Sequence, residues 1–179
     1  MATGWLIADD VVVTAGHCSF DHSHGFDRLL RANVYMGYKG KESTIDPTIK
    51  SKLDVQLRTG KVITTTSDWL SKGNDEARDV AFILLDKPFN DVTPFKPHDT
   101  PETGSCFIGV VGYPGDLEDP QTHERGAFMY ENFGNDTYDF ETAVSKKDHL
   151  LQYKVDTFGG KTISIFINSC PAMAVPNQP

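Results

Sequence analysis

Two short apolar runs near the start of the chain constrain its fold most. Trp5-Leu6-Ile7-Ala8 and Val11-Val12-Val13 flank Asp9-Asp10, and β-branched runs on either side of a two-residue turn signal predict a β-hairpin. Side chains alternate along a strand, so Val11 and Val13 are expected on one face and Val12 on the other. The second run ends at Thr14-Ala15-Gly16-His17-Cys18. An imidazole held at a strand end, after two small residues that let the backbone turn closely, has the properties of a general base. The same letters also suit a hydrogen-bonded histidine in a loop beside a core strand.

Further strands are expected along the chain. Asn33 to Tyr38 reads as a strand and Lys39 to Lys52 as a charged surface loop. Val55 to Arg58 and Lys61 to Thr66 alternate around Thr59-Gly60, which predicts a second hairpin, and Asp68-Trp69-Leu70 reads as a short turn. Val80 to Leu85 is a run of apolar residues too short for a confident helix and suited to a strand buried on both faces. Asp79 stands at its mouth. A carboxylate there, beside an imidazole, would fix the ring's tautomer and stabilise the imidazolium formed in proton transfer; alone, it would serve equally as a loop cap. Pro88, Pro94, Pro97 and Pro101 mark a connection, after which Cys106 to Tyr113 begins a new strand and Gly112 to Asp116 turns it. His123 to Tyr130 is expected to return as its partner, Asn132 to Lys147 to form a polar insertion, and Leu150 to Val155 to make the next strand.

The 179 residues carry a net charge of -8 with no basic cluster, which argues against nucleic acid or an anionic membrane as partner. No apolar run approaches the ~18 residues of a spanning helix, and Met1 leads into Ala-Thr-Gly-Trp without the basic flank and apolar core of a secretion signal. Asn135-Asp136-Thr137 is a glycosylation sequon that matters only in a secreted product. Cys18, Cys106 and Cys170 are odd in number, so at least one thiol has no partner within the chain. His17, Cys18, Asp21, His22 and His24 gather metal-ligand types but lack the second spaced pair of a closed site, so no metal and no cofactor is expected.

The stretch Thr14 to Cys18 closely resembles the histidine box of trypsin-like serine peptidases, and Ala2-Thr3-Gly4-Trp5-Leu6-Ile7 resembles the strand that leads into it. Asp79-Val80-Ala81-Phe82-Ile83-Leu84-Leu85 resembles their aspartate box, and Gly112-Tyr113-Pro114-Gly115-Asp116 a turn common in the glutamyl endopeptidase branch. His123-Glu124-Arg125-Gly126 and Asp156-Thr157-Phe158-Gly159-Gly160 come next in the right order, the latter as the lead-in to the nucleophile. The resemblance covers roughly residues 2 to 160. It implies an all-β fold of two antiparallel barrels: a first barrel at 1–87 lacking its extreme N-terminus, a linker at 88–103, a partial second barrel at 104–160 and an aberrant tail at 161–179. It also implies an extracellular serine-type endopeptidase acting on polypeptides. His17 would be the base, Asp79 its orienting partner, the Gly160 N–H part of the oxyanion hole and Thr157 a contact for a substrate glutamate. Relatives that bridge the cysteine beside the histidine have its partner nearby, often upstream, where this chain has none; Cys18 is expected to stay free.

Where the family continues Gly-Gly-x-Ser-Gly-Ser-Pro, this chain reads Gly159-Gly160-Lys161-Thr162-Ile163-Ser164-Ile165. Thr162 falls at the nucleophile, where its extra methyl restricts χ1, and Ile163 cannot take glycine-only backbone angles. Ser164 lies two positions late. The pocket histidine of the glutamyl branch has no counterpart, so Glu preference rests on Thr157 alone. The expectation is a family member without ordinary turnover; the alternatives are a peptide-binding pseudopeptidase and a truncated or mis-spliced product, since Gly160-Lys161 is compatible with the codons GGT-AAG and their splice-donor letters.

Overall fold

Strand pairing starts where the acidic turn predicts it. The computed structural model describes residues 2–23, 27–46, 55–72, 76–96, 104–138 and 165–168. Among them the strands are β1 (Trp5–Ala8), β2 (Val11–Thr14), β3 (Phe20–Asp21), β4 (Asp27–Arg28), β5 (Asn33–Met36), β6 (Gln56–Thr65), β7 (Ala81–Leu85), β8 (Gly104–Gly112), β9 (Tyr130–Tyr138) and β10 (Ile165–Asn168). The hairpin β1–β2 sets Leu6 opposite Val12, and both are buried. Val12 joins the main core with Leu6, while Val13 is also buried but stands outside that cluster, as its opposite facing requires.

A curled antiparallel sheet in the order β1-β2-β7-β6-β5 forms the first half of the molecule. Val12 faces Ile83 across the β2–β7 ladder and Ile63 faces Ile83 from β6, so one face of three strands converges on Leu6, Val12, Ala32, Ile83, Leu85 and Phe89. Each such side chain, fully buried, contributes about 1.5–3 kcal/mol by leaving water. Phe89 reaches this core from the proline-rich connection, and the Phe95 N–H donates to the Leu6 carbonyl at 2.9 Å, which fastens that connection to the edge strand.

Four expectations for this half are corrected. Val80 to Leu85 is not covered on both faces: Ala81, Ile83 and Leu85 are buried, whereas Phe82 and Leu84 are 37% and 38% exposed. An unbroken apolar run conceals the alternation that the sheet imposes. Thr59-Gly60 is no hairpin turn but the bend within the single ten-residue strand β6, whose first part pairs with β5 and whose second part pairs with β7. Gly60 is needed there for space, since a Cβ would lie 2.8 Å from Ile83 Cγ2 and 3.1 Å from Ala32 Cβ, and a register shift between Gly60 and Val62 accommodates the bend. Asp68-Trp69-Leu70 belongs to a short helix, Ser67–Lys72, started by the Thr66 hydroxyl, which accepts the Trp69 N–H at 3.1 Å. Within the expected charged loop, Glu42–Ile45 forms one helical turn.

The second half is a three-stranded sheet in the order β10-β8-β9. β8 pairs with β9 from Gly112↔Tyr130 to Gly104↔Tyr138, so the return strand begins where His123 to Tyr130 is expected to end, and 132–138 is strand rather than insertion. The intervening residues are taken up by a loop. Asp119 accepts the Gln121 and Thr122 N–H groups at 2.7 and 2.6 Å, and the His123 N–H returns to the Asp119 carbonyl at 2.9 Å, which delays the strand. Exposed Glu131 and Asn132 on β9 explain why it reads as surface. Ile165–Asn168, from the stretch expected to be foreign, pairs antiparallel with β8. The two sheets are open rather than closed barrels among the described residues. Leu150 to Val155 lies outside the described residues.

Replacing Gly60 by Val should destabilise the chain by about 1–3 kcal/mol, the usual cost of forcing extra carbon into a packed contact. Urea unfolding monitored by tryptophan fluorescence would measure it.

Candidate active site

Two residues far apart in sequence meet because β2 and β7 are antiparallel neighbours. Thr14, the last residue of β2, stands opposite Ala81, the first of β7, so the segment leaving β2 and the segment entering β7 share one rim of the sheet. After β2, Gly16–Cys18 forms a single 3-10 turn, closed by the Ser19 N–H and the Ser19 hydroxyl, which both donate to the Gly16 carbonyl at 2.8 and 2.7 Å. Before β7, Glu76–Arg78 forms a similar turn. His17 projects from the first turn, and Asp79 comes directly after the second.

The Asp79 carboxylate grips His17 at two points. Its Oδ2 lies 2.7 Å from the ring Nδ1, and its Oδ1 accepts the His17 backbone N–H at 2.7 Å. An ionised carboxylate only accepts, so the proton of this bond belongs to Nδ1, and the neutral ring carries its lone pair on Nε2. Asp79 is the more buried partner, 22% against 39% exposed.

The hydrogen bond to Asp79 is the main reason that the His17 imidazolium is favoured, with the neighbouring Cys18 thiol adding to it and partial burial opposing it; the net effect raises the ring well above its ordinary value of 6.5. Burial pushes Asp79 up, but the bonds from the His17 ring and backbone, with a further one from Gly16, outweigh it and hold the carboxyl below its ordinary 3.8. Cys18 carries no disulfide.

The surroundings of this pair set its geometry. A Cβ on residue 16 would lie 3.0 Å from Asp79 Oδ1 and 3.0 Å from the Trp69 ring, so only glycine lets the turn press onto both. Trp69 is buried and is fixed in turn: its indole N–H donates to the Phe20 carbonyl at 3.0 Å. The backbone around Asp79 is held from β6 and its end, where the Thr65 hydroxyl donates to the Val80 carbonyl at 2.6 Å and the Thr66 hydroxyl to the Arg78 carbonyl at 3.0 Å. Trp69, Thr65 and Thr66 escape sequence reasoning. The available signal is Thr66-Ser67-Asp68, a hydroxyl cap with an acid in the first turn of a helix.

His22, a candidate metal ligand by its residue type, is engaged otherwise. Its Nε2 is 2.8 Å from the Trp69 carbonyl, and its ring sits edge-on to Phe20 and Trp69 at 4.6 and 5.6 Å. Among the described residues, no three His, Cys, Asp or Glu side chains converge on a point suited to a metal. Thr157, Gly160, Thr162, Ser164, His24 and Cys170 lie outside the described residues. No helix among the described residues is long and apolar enough to cross a membrane.

No protein-family model and no curated protein sequence matches the chain. Solved structures do match its fold. A Glu endopeptidase aligns over 77% of this chain at 21% identity and a TM-score of 0.58, the alignment spanning 58% of that enzyme's length. Neuropsin, a serine protease expressed in mouse brain, aligns over 93% of this chain and 71% of its own at 15% identity and a TM-score of 0.63. A mutant of human heparin binding protein aligns over 93% of this chain and 68% of its own at 16% identity and a TM-score of 0.57.

Asp79→Asn should bring the His17 titration down toward 6.5, which ring-proton NMR would follow. The pair also makes stability depend on pH. Because His17 is raised, its contribution is complete below about 6.5 and is lost as pH rises through the folded value; because Asp79 is lowered, its contribution is present above about 3.8 and is lost as pH falls through the folded value. Thermal unfolding against pH should therefore show the largest wild-type advantage over Asp79→Asn between about pH 4 and 6.5.

Proposed function

Starting from a chain that has the trypsin-like serine protease fold, we propose that it is built on a serine endopeptidase plan for peptide-bond hydrolysis by acyl transfer, and that Thr162 leaves this chain binding peptide without ordinary turnover. The observation that carries the reading is the double grip of Asp79 on the ring and backbone of His17, each at 2.7 Å. A base that must first take a proton and then return it needs its ring held in one tautomer and its imidazolium stabilised. This geometry supports both.

In the proposed chemistry His17 Nε2 takes the proton of a hydroxyl nucleophile as that oxygen attacks a peptide carbonyl, and later gives it to the leaving amine. Asp79 keeps Nδ1 protonated throughout. The Gly160 N–H would stabilise the tetrahedral oxyanion, and Thr157 would contact a glutamate side chain preceding the scissile bond. Thr162 occupies the nucleophile's place in the sequence. Its hydroxyl has the right chemistry, but the added methyl narrows the rotamers that could aim it at His17. Extracellular peptides are the proposed ligands, in line with the family resemblance of the histidine and aspartate boxes.

Hydrolysis of a fluorogenic Glu-containing peptide by wild type, Thr162→Ser and Thr162→Ser/His17→Ala tests the reading. Wild type should bind the peptide, by fluorescence anisotropy, with no measurable turnover. Thr162→Ser should introduce hydrolysis that rises with pH as His17 loses its proton, and removing His17 should abolish it, a loss on the order of 10⁴. Failure of wild type to bind, together with no hydrolysis in Thr162→Ser, would refute the proposal.

A further inference from the structure

Acyl transfer in such a site would need groups from both halves of the chain: His17 and Asp79 stand on the first sheet, and the proposed nucleophile and oxyanion positions come later in sequence than β8 and β9 of the second. Something must therefore fix one half against the other. Among the described residues, four hydrogen bonds connect them through Tyr113 and Glu124 of the second half. The Tyr113 N–H donates to the buried Thr3 hydroxyl at 2.9 Å, and the Tyr113 hydroxyl donates to the Tyr38 carbonyl at 3.1 Å. The Tyr38 hydroxyl donates to Glu124 Oε1 at 2.6 Å, and the Lys41 N–H donates to Glu124 Oε2 at 2.8 Å.

The arrangement is continuous. The rings of Tyr38 and Tyr113 meet edge to face at 6.0 Å, so the four bonds share one apolar contact. Gly40, at a φ of 82°, brings the chain so close that a Cβ would stand 3.2 Å from Glu124 Oε2. Behind it, Ser43 is fully buried, takes the Lys39 N–H at 3.0 Å and donates to the Gly40 carbonyl, so the segment reaching Glu124 is itself rigid. At the other end, the Thr14 hydroxyl donates to the Thr3 carbonyl at 2.9 Å, and Thr14 is the last residue of β2, three positions before His17. Glu124 thus ends a chain of contacts that begins on the strand leading into the His17 turn.

We infer that Glu124 is a positioning residue: its two carboxylate oxygens, one on the Tyr38 hydroxyl and one on the Lys41 N–H, lock the 113–126 segment of the second half onto the first. A carboxylate is suited to this, because it accepts two donors at once and charge-assisted bonds are about twice as strong as neutral ones. Glutamine keeps one accepting oxygen for the Lys41 N–H, and its NH₂ can meet Tyr38 only if that hydroxyl turns round to accept, which gives up the charge-assisted O–H···O⁻ bond and takes Glu124 away as acceptor for the tyrosine proton. The lock itself is independent of the proposed hydrolysis; only its catalytic consequence rests on that reading.

Amide hydrogen exchange on the full chain, as wild type, Glu124→Gln, Tyr38→Phe and the double variant, tests the lock. Glu124→Gln should speed exchange at Lys41 and at Tyr113 together, by about tenfold, while Ser19 in the His17 turn stays protected, which excludes general unfolding. The two substitutions should be non-additive, the double variant exchanging no faster than the faster single one. Acceleration at Lys41 with Tyr113 unchanged, or fully additive effects, would overturn the inference. In the Thr162→Ser background Glu124→Gln should lower kcat with KM little changed; equal kcat would overturn the positioning role. Absence of hydrolysis in Thr162→Ser itself would count against the proposed function, and the exchange data would still decide the lock.

Discussion

The site depends on the two-point contact of Asp79 with His17. One oxygen holds the ring and the other holds the backbone that carries the ring, so rotation about the histidine side chain and displacement of its turn are restrained by the same carboxylate. A single hydrogen bond would orient the imidazole but leave its base free to shift. The double contact is possible only because Gly16 has no side chain and Trp69 fills the space beneath it. Sheet pairing delivers both residues to one rim, since Thr14 and Ala81 face each other across adjacent strands. Fold and site are linked there.

That geometry also sets the charge. A buried carboxylate without a partner would be driven toward its neutral form. Here the ring and backbone donors keep Asp79 ionised, and the anion in turn favours the imidazolium. Once the ring is neutral its Nε2 offers a lone pair, and the same anion then stabilises the imidazolium that forms when a proton is taken, as a general base requires. In the proposed function its second requirement, a nucleophile within hydrogen-bond reach, falls to Thr162.

Much of this is legible in the letters. Asp9-Asp10 between β-branched runs specifies the first hairpin, because turn chemistry and alternation agree there. The histidine box and aspartate box point to a pair that stands at hydrogen-bonding distance. Where the letters mislead, the reasons are physical. Thr59-Gly60 has the letters of a turn, yet the glycine serves close packing against Ile83 and Ala32 in a continuous strand; local composition does not distinguish the two uses. Val80 to Leu85 hides a one-sided strand because both faces are apolar. β9 escapes notice because Glu131, Asn132, Asn135 and Asp136 have the letters of a loop until its partner β8 is in place. Trp69 and the threonine hydroxyls around Asp79 act through tertiary contacts, of which the Thr66-Ser67-Asp68 cap signals only the helix that carries Trp69.

The decisive quantity is where the neutral His17 ring keeps its proton. Nitrogen-15 NMR of histidine-labelled chain, at a pH above the His17 titration, would distinguish the two tautomers directly. The double grip of Asp79 predicts a protonated Nδ1 with a strongly deshielded proton shared toward the carboxylate, an unprotonated Nε2, and loss of the deshielded signal in Asp79→Asn. A neutral ring protonated at Nε2, or a spectrum unchanged by Asp79→Asn, would contradict it.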